Sequence, residues 1–105
     1  MVNPYLLGAV HIAAGLDGIK NKIDPGEAIV GENVWNLPHD ERRRRGMILL
    51  PQNLMEAVEA LEADPVIRAG LGPIAEEFIK IKKAEWSEFM RLVTPWEVDR
   101  YLTFI

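Results

Sequence analysis

Residues 3–19, NPYLLGAVHIAAGLDGI, decide the fold, because this apolar stretch opens with strong helix-start chemistry. Asn3 can accept hydrogen bonds from the free N–H groups of a helix start, and Pro4 is tolerated at the first helical position. From Tyr5 to Ile19 the apolar residues fall on every side of the helix, so the helix must be buried all round. Because the rest of the chain can hardly enclose it, we expect another chain to help cover it.

The helix-capping and turn residues in the rest of the chain predict an all-α fold of about five helices with irregular loops and almost no strand. Asn53 and Asp64-Pro65 are helix starts of the same kind, and the longest predicted helix runs from Pro73 to Val93. Thr94 and Glu97 have the spacing of a capping box, which predicts one more helix at the end of the chain. In the longest helix we expect Ile74, Phe78 and Ile81 to form one apolar seam, with Ile79, Trp86 and Val93 beside it. We interpret residues 1–105 as a single helical segment.

Composition excludes several classes of function. The chain has 105 residues, the length of one domain, and its net charge of −4 disfavours binding to nucleic acid or to an anionic membrane. It contains no cysteine and only two histidines, which excludes thiolate chemistry and makes a multi-histidine metal site improbable. The apolar stretch 4–16 is shorter than the about 20 residues that a membrane helix needs, and no signal peptide is visible. We therefore expect a cytoplasmic protein.

One basic run invites a phosphate-binding interpretation. Arg42 to Arg45 are consecutive, but Asp40 and Glu41 stand four residues before Arg44 and Arg45 on a predicted short helix, His39–Arg45. Paired, solvated charge is the favoured explanation, and we expect only weak, salt-sensitive contact with ATP.

Two single residues, His11 and Asp17, have side chains that could carry chemistry. His11 has no second ligand one helical turn away, so a packed, hydrogen-bonded histidine is favoured over a metal ligand. Asp17 is interpreted as a helix-end charge that meets Lys20 or the backbone, rather than as a base. The residues alone predict no catalytic, cofactor-binding or metal site in this chain.

Several blocks of the sequence carry a family resemblance. They are NPYL at residues 3–6, AGLDGIKNKIDPGE at 14–27, NVWNLP at 33–38, LMEAVEALEAD at 54–64 and TPWE at 94–97. Together they closely resemble the C-terminal region of the catalytic domain of bacterial-type glutamine synthetase, and the likeness covers essentially the whole chain.

The resemblance implies a ligase family with a defined chemistry. Its members join ammonia, or another amine in some relatives, to glutamate through a γ-glutamyl phosphate, using ATP and Mg²⁺ or Mn²⁺. In that family the catalytic, metal-binding and ATP-contacting positions lie upstream of the NPYL block, so none carries over to this chain.

Two functional interpretations follow from the resemblance. The first is a C-terminal, helical piece of a larger α+β ligase domain, which is structural, contacts other subunits and is inactive alone. The second is an independent small helical interaction protein that binds a partner such as a full-length synthetase. A truncated gene and a small product in its own right both stay open.

One regulatory position of the family falls within the chain. Some bacterial members carry an adenylylated tyrosine in the motif Asn-Leu-Tyr-Asp-Leu-Pro, and the matching residue here is Trp35, which has no hydroxyl to modify. The resemblance therefore implies a branch that is not adenylylated, or an amine-specific relative. We expect Trp35 to pack its large apolar surface onto the helices.

The C-terminal tail is predicted to be an interface. Its apolar residues form a stripe with two aromatic neighbours: Val98, Tyr101, Leu102 and Ile105, with Trp96 and Phe104 beside them. An exposed patch of this kind on a small protein usually marks an interaction surface. We expect self-association or contact with other synthetase subunits, and the resemblance implies the same, because the family's C-terminal segment contacts neighbouring subunits.

Overall fold

The computed structural model of the chain describes residues 2–102. These residues form six α-helices and one 3₁₀ turn, with no strand among them, so the predicted all-α class is confirmed. The elements are α1 (Pro4–Asn21), a 3₁₀ turn (Val34–Asn36), α2 (His39–Arg44), α3 (Leu54–Ala63), α4 (Pro65–Leu71), α5 (Ile74–Phe89) and α6 (Pro95–Tyr101).

The helix starts lie where the capping residues predict them. The Asn3 side chain accepts a hydrogen bond from the Tyr5 N–H at 3.0 Å, and Asn53 accepts one from the Glu56 N–H at 2.9 Å. The Asp64 side chain accepts from the first N–H groups of α4 in the same way. Each bond satisfies a backbone donor that the helix itself leaves free.

The helix ends follow the sequence less closely. α1 continues past Ile19 to Asn21 and stops at Lys22, whose backbone is left-handed with φ of 52°. α5 ends at Phe89, before the predicted end at Val93. The chain must become extended at Thr94, because a residue before proline avoids the helical conformation, and the preceding residues make that change of direction.

Four helices pack together into what we call the packed module. α1 lies against α4, α3 lies against α5, and α4 contacts both α3 and α5. The buried apolar residues among those described are Val58, Leu71, Ala75 and Ile79. α1 and α4 approach closely at Gly70 of α4, where an added Cβ would lie 2.5 Å from the Cβ of Ala13 on α1.

The two predicted apolar stripes of α5 are each covered only in part. Ile79 is buried and Phe78 and Trp86 are half-buried, whereas Ile74 and Ile81 are about half exposed. Val93 lies beyond the end of α5 and is 73% exposed. The reason is that α3 and α4 cover the face of α5 that carries Ala75 and Ile79. The spacing of apolar residues in α5 predicts two adjacent stripes, but it does not predict which part of them the rest of the chain covers.

The molecule is spread out for its length. The Cα radius of gyration is 18.7 Å, against about 13 Å for a compact domain of 100 residues. The accessible surface is 9285 Å², whereas a folded monomer of 11.9 kDa exposes about 6,000 Å². Much apolar surface that a compact domain would bury is therefore left uncovered by this chain.

Candidate functional site

α1 leaves most of its apolar surface uncovered. None of its residues is buried, and Leu6 and Ala13 are only half-buried. Ile12, Leu16 and Ile19 remain between 62% and 78% exposed. The expectation that this chain does not enclose α1 is confirmed, and the covering chain remains a prediction.

A groove of about 500 Å³ runs along the packed module beside α1. Its apolar lining comes from all four helices and the residue before them: Val2, Leu6, Leu7, Val10, Leu61, Leu71, Phe78 and Ile81. Asn3 and Lys82 supply the polar part of the lining. Such a lining can accept an apolar side chain or an amphipathic segment, because apolar burial is favourable and non-directional.

The predicted interface residues of the tail are exposed on α6. Trp96, Tyr101 and Leu102 are each about 60% exposed, and Val98 is 37% exposed. The Trp96 and Tyr101 rings meet edge to face with their centroids 6.2 Å apart, and the Arg100 guanidinium lies over the Trp96 ring at 5.5 Å. Phe104 and Ile105 lie outside the described residues.

The start of α6 is a complete capping box. The Thr94 hydroxyl oxygen accepts from the Glu97 N–H at 3.2 Å, and a Glu97 carboxylate oxygen accepts from the Thr94 N–H at 2.7 Å. Hydrogen bonds from the Thr94 backbone and then its side chain lower the pKa of Glu97 below its usual value. The prediction from the TPWE block is therefore confirmed, and the exposed helix has a well-defined start.

Trp35 is exposed rather than packed, so that expectation is wrong. The Asn33 side chain accepts a hydrogen bond from the Trp35 N–H at 3.0 Å and fixes the 3₁₀ turn. Within the turn Val34 and Leu37, three residues apart, are half-buried, while Trp35 is 83% exposed. Residues three apart lie on the same side of a 3₁₀ turn, so Trp35 between them points outwards.

The basic run 42–45 divides into two halves, and the second half, Arg44 and Arg45, is paired. Glu41 contacts Arg44 at 2.5 Å and the Nε of Arg45 at 2.9 Å, and Arg45 also contacts Glu32 from the preceding loop. The hydrogen bond from Arg45, and then the nearby charge of Arg44, lower the pKa of Glu41 below its usual value. The predicted pair between Glu41 and Arg45 is confirmed, whereas Arg44 pairs with Glu41, three residues before it, rather than with Asp40.

Arg42 and Arg43, the first half of the run, form no ion pair with the residues that the structure describes. Arg42, Arg43 and His39 line a small cavity of about 230 Å³ together with Met47 and Leu49. The Arg42 Nε is buried and has no hydrogen-bond partner among the described residues. Paired charge therefore explains only part of the run, a distinction that the sequence spacing did not reveal.

His11 and Asp17 each form a hydrogen bond within α1. His11 shares a 2.8 Å hydrogen bond between its Nδ1 and the Leu7 carbonyl oxygen, but the ring is exposed rather than packed. Asp17 accepts from the Asn21 side-chain amide at 2.8 Å instead of meeting Lys20.

The carboxylates of the described part do not converge on a common point. Over residues 2–102, no group of three or more His, Cys, Asp or Glu side chains is placed to hold a metal ion. The side chains present therefore do not fit the divalent metal that the resemblance implies. In the same part of the chain, no helix combines the length and the apolar character needed to cross a membrane.

Comparisons with known proteins give matches along nearly the whole chain. A family model described as "Glutamine synthetase, catalytic domain" matches residues 1–101. The chain is 48% identical over 102 residues to the glutamate–methylamine ligase of Methyloversatilis universalis, covering 97% of this chain and 23% of that relative. It is 46% identical to the glutamine synthetase of Halobacterium salinarum, covering 95% of this chain and 22% of that enzyme.

A solved structure shows the same arrangement of helices. The chain superimposes with a TM-score of 0.73 and 39% identity on a structure titled "Apo GmaS without ligand", covering 96% of this chain and 23% of that one. The chain thus spans about a quarter of the length of the proteins that it matches.

Proposed function

The chain belongs to the glutamine synthetase catalytic-domain family, and we propose that it forms the C-terminal helical region of an ATP-dependent ligase joining glutamate to ammonia or to another amine. The observation that carries this proposal is identity of 40–48% to ligases along nearly the whole chain. Methylamine is one candidate amine, because one of these relatives is a glutamate–methylamine ligase. A cytoplasmic location belongs to the same proposal.

The role of this region is structural and subunit-contacting. The exposed apolar faces of α1 and α6, and the groove beside α1, support this role, because large uncovered apolar surfaces mark interfaces. Family members are oligomeric, so neighbouring subunits are available to cover such faces. Each apolar side chain that is fully covered contributes about 1.5–3 kcal/mol.

The region is inactive by itself under this proposal. Acyl-phosphate chemistry depends on a metal ion that neutralises the developing phosphoryl charge, and the described side chains do not fit such an ion. ATP and Mg²⁺ or Mn²⁺ are accordingly assigned to the rest of a family enzyme. The chain supplies apolar surface and helix ends around that catalytic part.

Reassembly of a divided enzyme tests this assignment. The Methyloversatilis ligase is produced without the C-terminal quarter that this chain matches, and the 105-residue chain is added to it. Phosphate release is followed with glutamate, ATP and Mg²⁺, and with methylamine or ammonia as the amine. We expect neither piece to be active alone and the mixture to be active.

A matched pair of variants shows whether the apolar face of α1 is the surface through which the chain binds the truncated ligase. Ile12→Asp places a charge on that exposed apolar face, and Lys20→Asp places the same side chain at an exposed polar position of the same helix. Only the first is expected to prevent reassembly. Activity of the chain alone would overturn the proposal, and tight binding to an intact synthetase without any reassembly would favour an independent interaction protein.

A further inference from the structure

Residues 47–50, Met-Ile-Leu-Leu, form an apolar segment with one uncovered side, which we call the apolar edge. Ile48 and Leu50 are 93% and 81% exposed. Met47 and Leu49 are less exposed, and both line the cavity beside α2. Such alternation is typical of an extended strand, in which successive side chains lie on opposite faces.

The backbone of the apolar edge is also unpaired. The N–H groups of Ile48, Leu49 and Leu50 form no hydrogen bond with any residue that the structure describes. A row of free donors beside exposed apolar side chains is a template for β-pairing with another chain. Residues 46–50 contain neither charge nor proline, which favours stacking of identical segments. The partner that this edge fits is therefore the same segment of a second copy of the chain.

The basic run 42–45 lies directly beside the apolar edge. Arg42 and Arg43 line the same cavity of about 230 Å³ as the apolar edge, and the Met47 N–H donates to the Arg42 carbonyl oxygen at 2.9 Å. The two carboxylates of α2 can offset only two of the four guanidinium charges. The strands of two stacked copies would lie about 4.8 Å apart, so their basic runs would meet as like charges. Repulsion between these charges opposes the pairing that the apolar edge favours.

We propose that Arg42 and Arg43, with Pro51 at the other end, prevent the apolar edge from pairing with the same segment of a second copy. The arginines act through repulsion between the copies. Pro51 has no N–H to donate, so it ends the hydrogen-bond ladder directly after Leu50. Charged residues and proline that flank an apolar strand limit aggregation in the same way. This inference is independent of the proposed ligase role, because it depends only on residues 42–51.

Removing the two charges separates local repulsion from the effect of net charge. The chain has a net charge of −4, so Arg42→Gln combined with Arg43→Gln makes it two units more negative. A larger net charge by itself slows association, whereas loss of local repulsion accelerates it, so the two explanations predict opposite signs. Fibril growth is followed by thioflavin T fluorescence at about 100 μM protein, and we expect it to be about threefold or more faster in the double arginine variant.

Three further variants locate the effect. Lys20→Gln combined with Lys22→Gln removes two positive charges from exposed positions outside the basic run, and no acceleration is expected. Pro51→Ala should accelerate growth, because it restores the missing N–H. Ile48→Lys, added to the double arginine variant, places a charge in the apolar edge at a 93% exposed position. It should return growth to the rate of the unmodified chain.

Several outcomes would overturn the inference. Unchanged or slower growth in the double arginine variant, or no thioflavin T signal from any variant, would mean that the arginines do not oppose pairing. Equal acceleration by the lysine variant would mean a general charge effect. No rescue by Ile48→Lys would mean that another segment pairs, and fibres without the spacing of about 4.7 Å along their axis would exclude β-pairing. Arg43 is exposed, so Arg43→Gln alone keeps the test valid if far-ultraviolet circular dichroism shows that Arg42→Gln disturbs the helix.

Discussion

The packed module and the elements outside it are stabilised in different ways. α3, α4 and α5 bury Val58, Leu71, Ala75 and Ile79 among themselves, and α1 lies against α4. The outer elements, which we define as residues 22–53 and α6, contain no buried residue among those described. Local hydrogen bonds and ion pairs fix the conformation of these elements; examples are the capping box of α6 and the Glu41 pairs of α2.

This difference shows that local chemistry can define an element that the chain itself does not cover. Ile48 and Leu50 are 93% and 81% exposed in a segment without regular structure, although both are strongly apolar. Caps and surface ion pairs contribute about 1 kcal/mol or less each, and they do not replace apolar burial. The outer elements therefore receive little tertiary stabilisation from the described residues of this chain.

The largest expected effect comes from removing core volume in the packed module. Ile79→Ala should lower the free energy of unfolding by about 2–4 kcal/mol, because Ile79 is 5% exposed and its truncation leaves a cavity. Urea denaturation followed by circular dichroism measures the change.

Ile48→Ala is the matched control in the outer elements. The same side chain is removed from a 93% exposed position, so the change in unfolding free energy should stay within about 0.5 kcal/mol. Similar losses from the two variants would contradict the division into a packed module and outer elements.

An intermediate effect is expected at the contact between α1 and α4. Gly70→Ala places a methyl group against the Ala13 Cβ, so one of the two helices must shift, at a loss of about 1–3 kcal/mol. Thermal unfolding measures the loss, and adding Ala13→Gly should restore part of it by making room.

Gly15→Ala provides the control for this contact. Nothing lies within 4 Å of a Cβ added at Gly15, so the gain in helix propensity should appear as a stabilisation of about 0.5–1 kcal/mol. Destabilisation at both glycines would mean that α1 is covered on more sides than the structure shows.

The smallest effect is local to α6. Thr94→Ala removes the cap and should cost about 1 kcal/mol of helix stability, seen as roughly fivefold faster amide exchange in α6 and no change in the packed module. Faster exchange in α3 or α5 as well would show that α6 supports the core.

The same cap should respond to pH in a defined direction. The pKa of Glu97 is lowered in the folded chain, so its contribution is present above the usual value of 4.5 and disappears as the pH falls through the lower, folded value. Amide exchange in α6, corrected for its intrinsic pH dependence, should therefore become less protected below pH 4.5, and Glu97→Gln should abolish that response.

The sequence predicted the beginnings of elements better than their surroundings. Asn3, Asn53, Asp64 and Thr94 act through the next three residues of chain, so their capping roles were visible in the sequence. The side of α5 that is buried depends on where α3 and α4 lie, so spacing alone does not distinguish half-exposed Ile74 from buried Ile79.

In α2 and the 3₁₀ turn, too, the surroundings of individual side chains could not be predicted from the sequence. Spacing identifies Glu41 as a partner for Arg45, but it does not show that the Nε of Arg42 is buried without a hydrogen-bond partner among residues 2–102. Trp35 was misjudged because its size favours burial in general, while the capped 3₁₀ turn directs it outwards. In each case the deciding information lies in the three-dimensional arrangement around the residue.

Sedimentation equilibrium of the 105-residue chain tests most directly whether its uncovered apolar faces are interfaces. We predict species above the monomer mass of 11.9 kDa at micromolar concentration, and their weakening when residues 96–105 are deleted. Lys20→Asp, at an exposed polar position, should leave the association unchanged. A clean monomer at high micromolar concentration, with the tail protected from amide exchange, would contradict the account, because the tail would then be covered by its own chain.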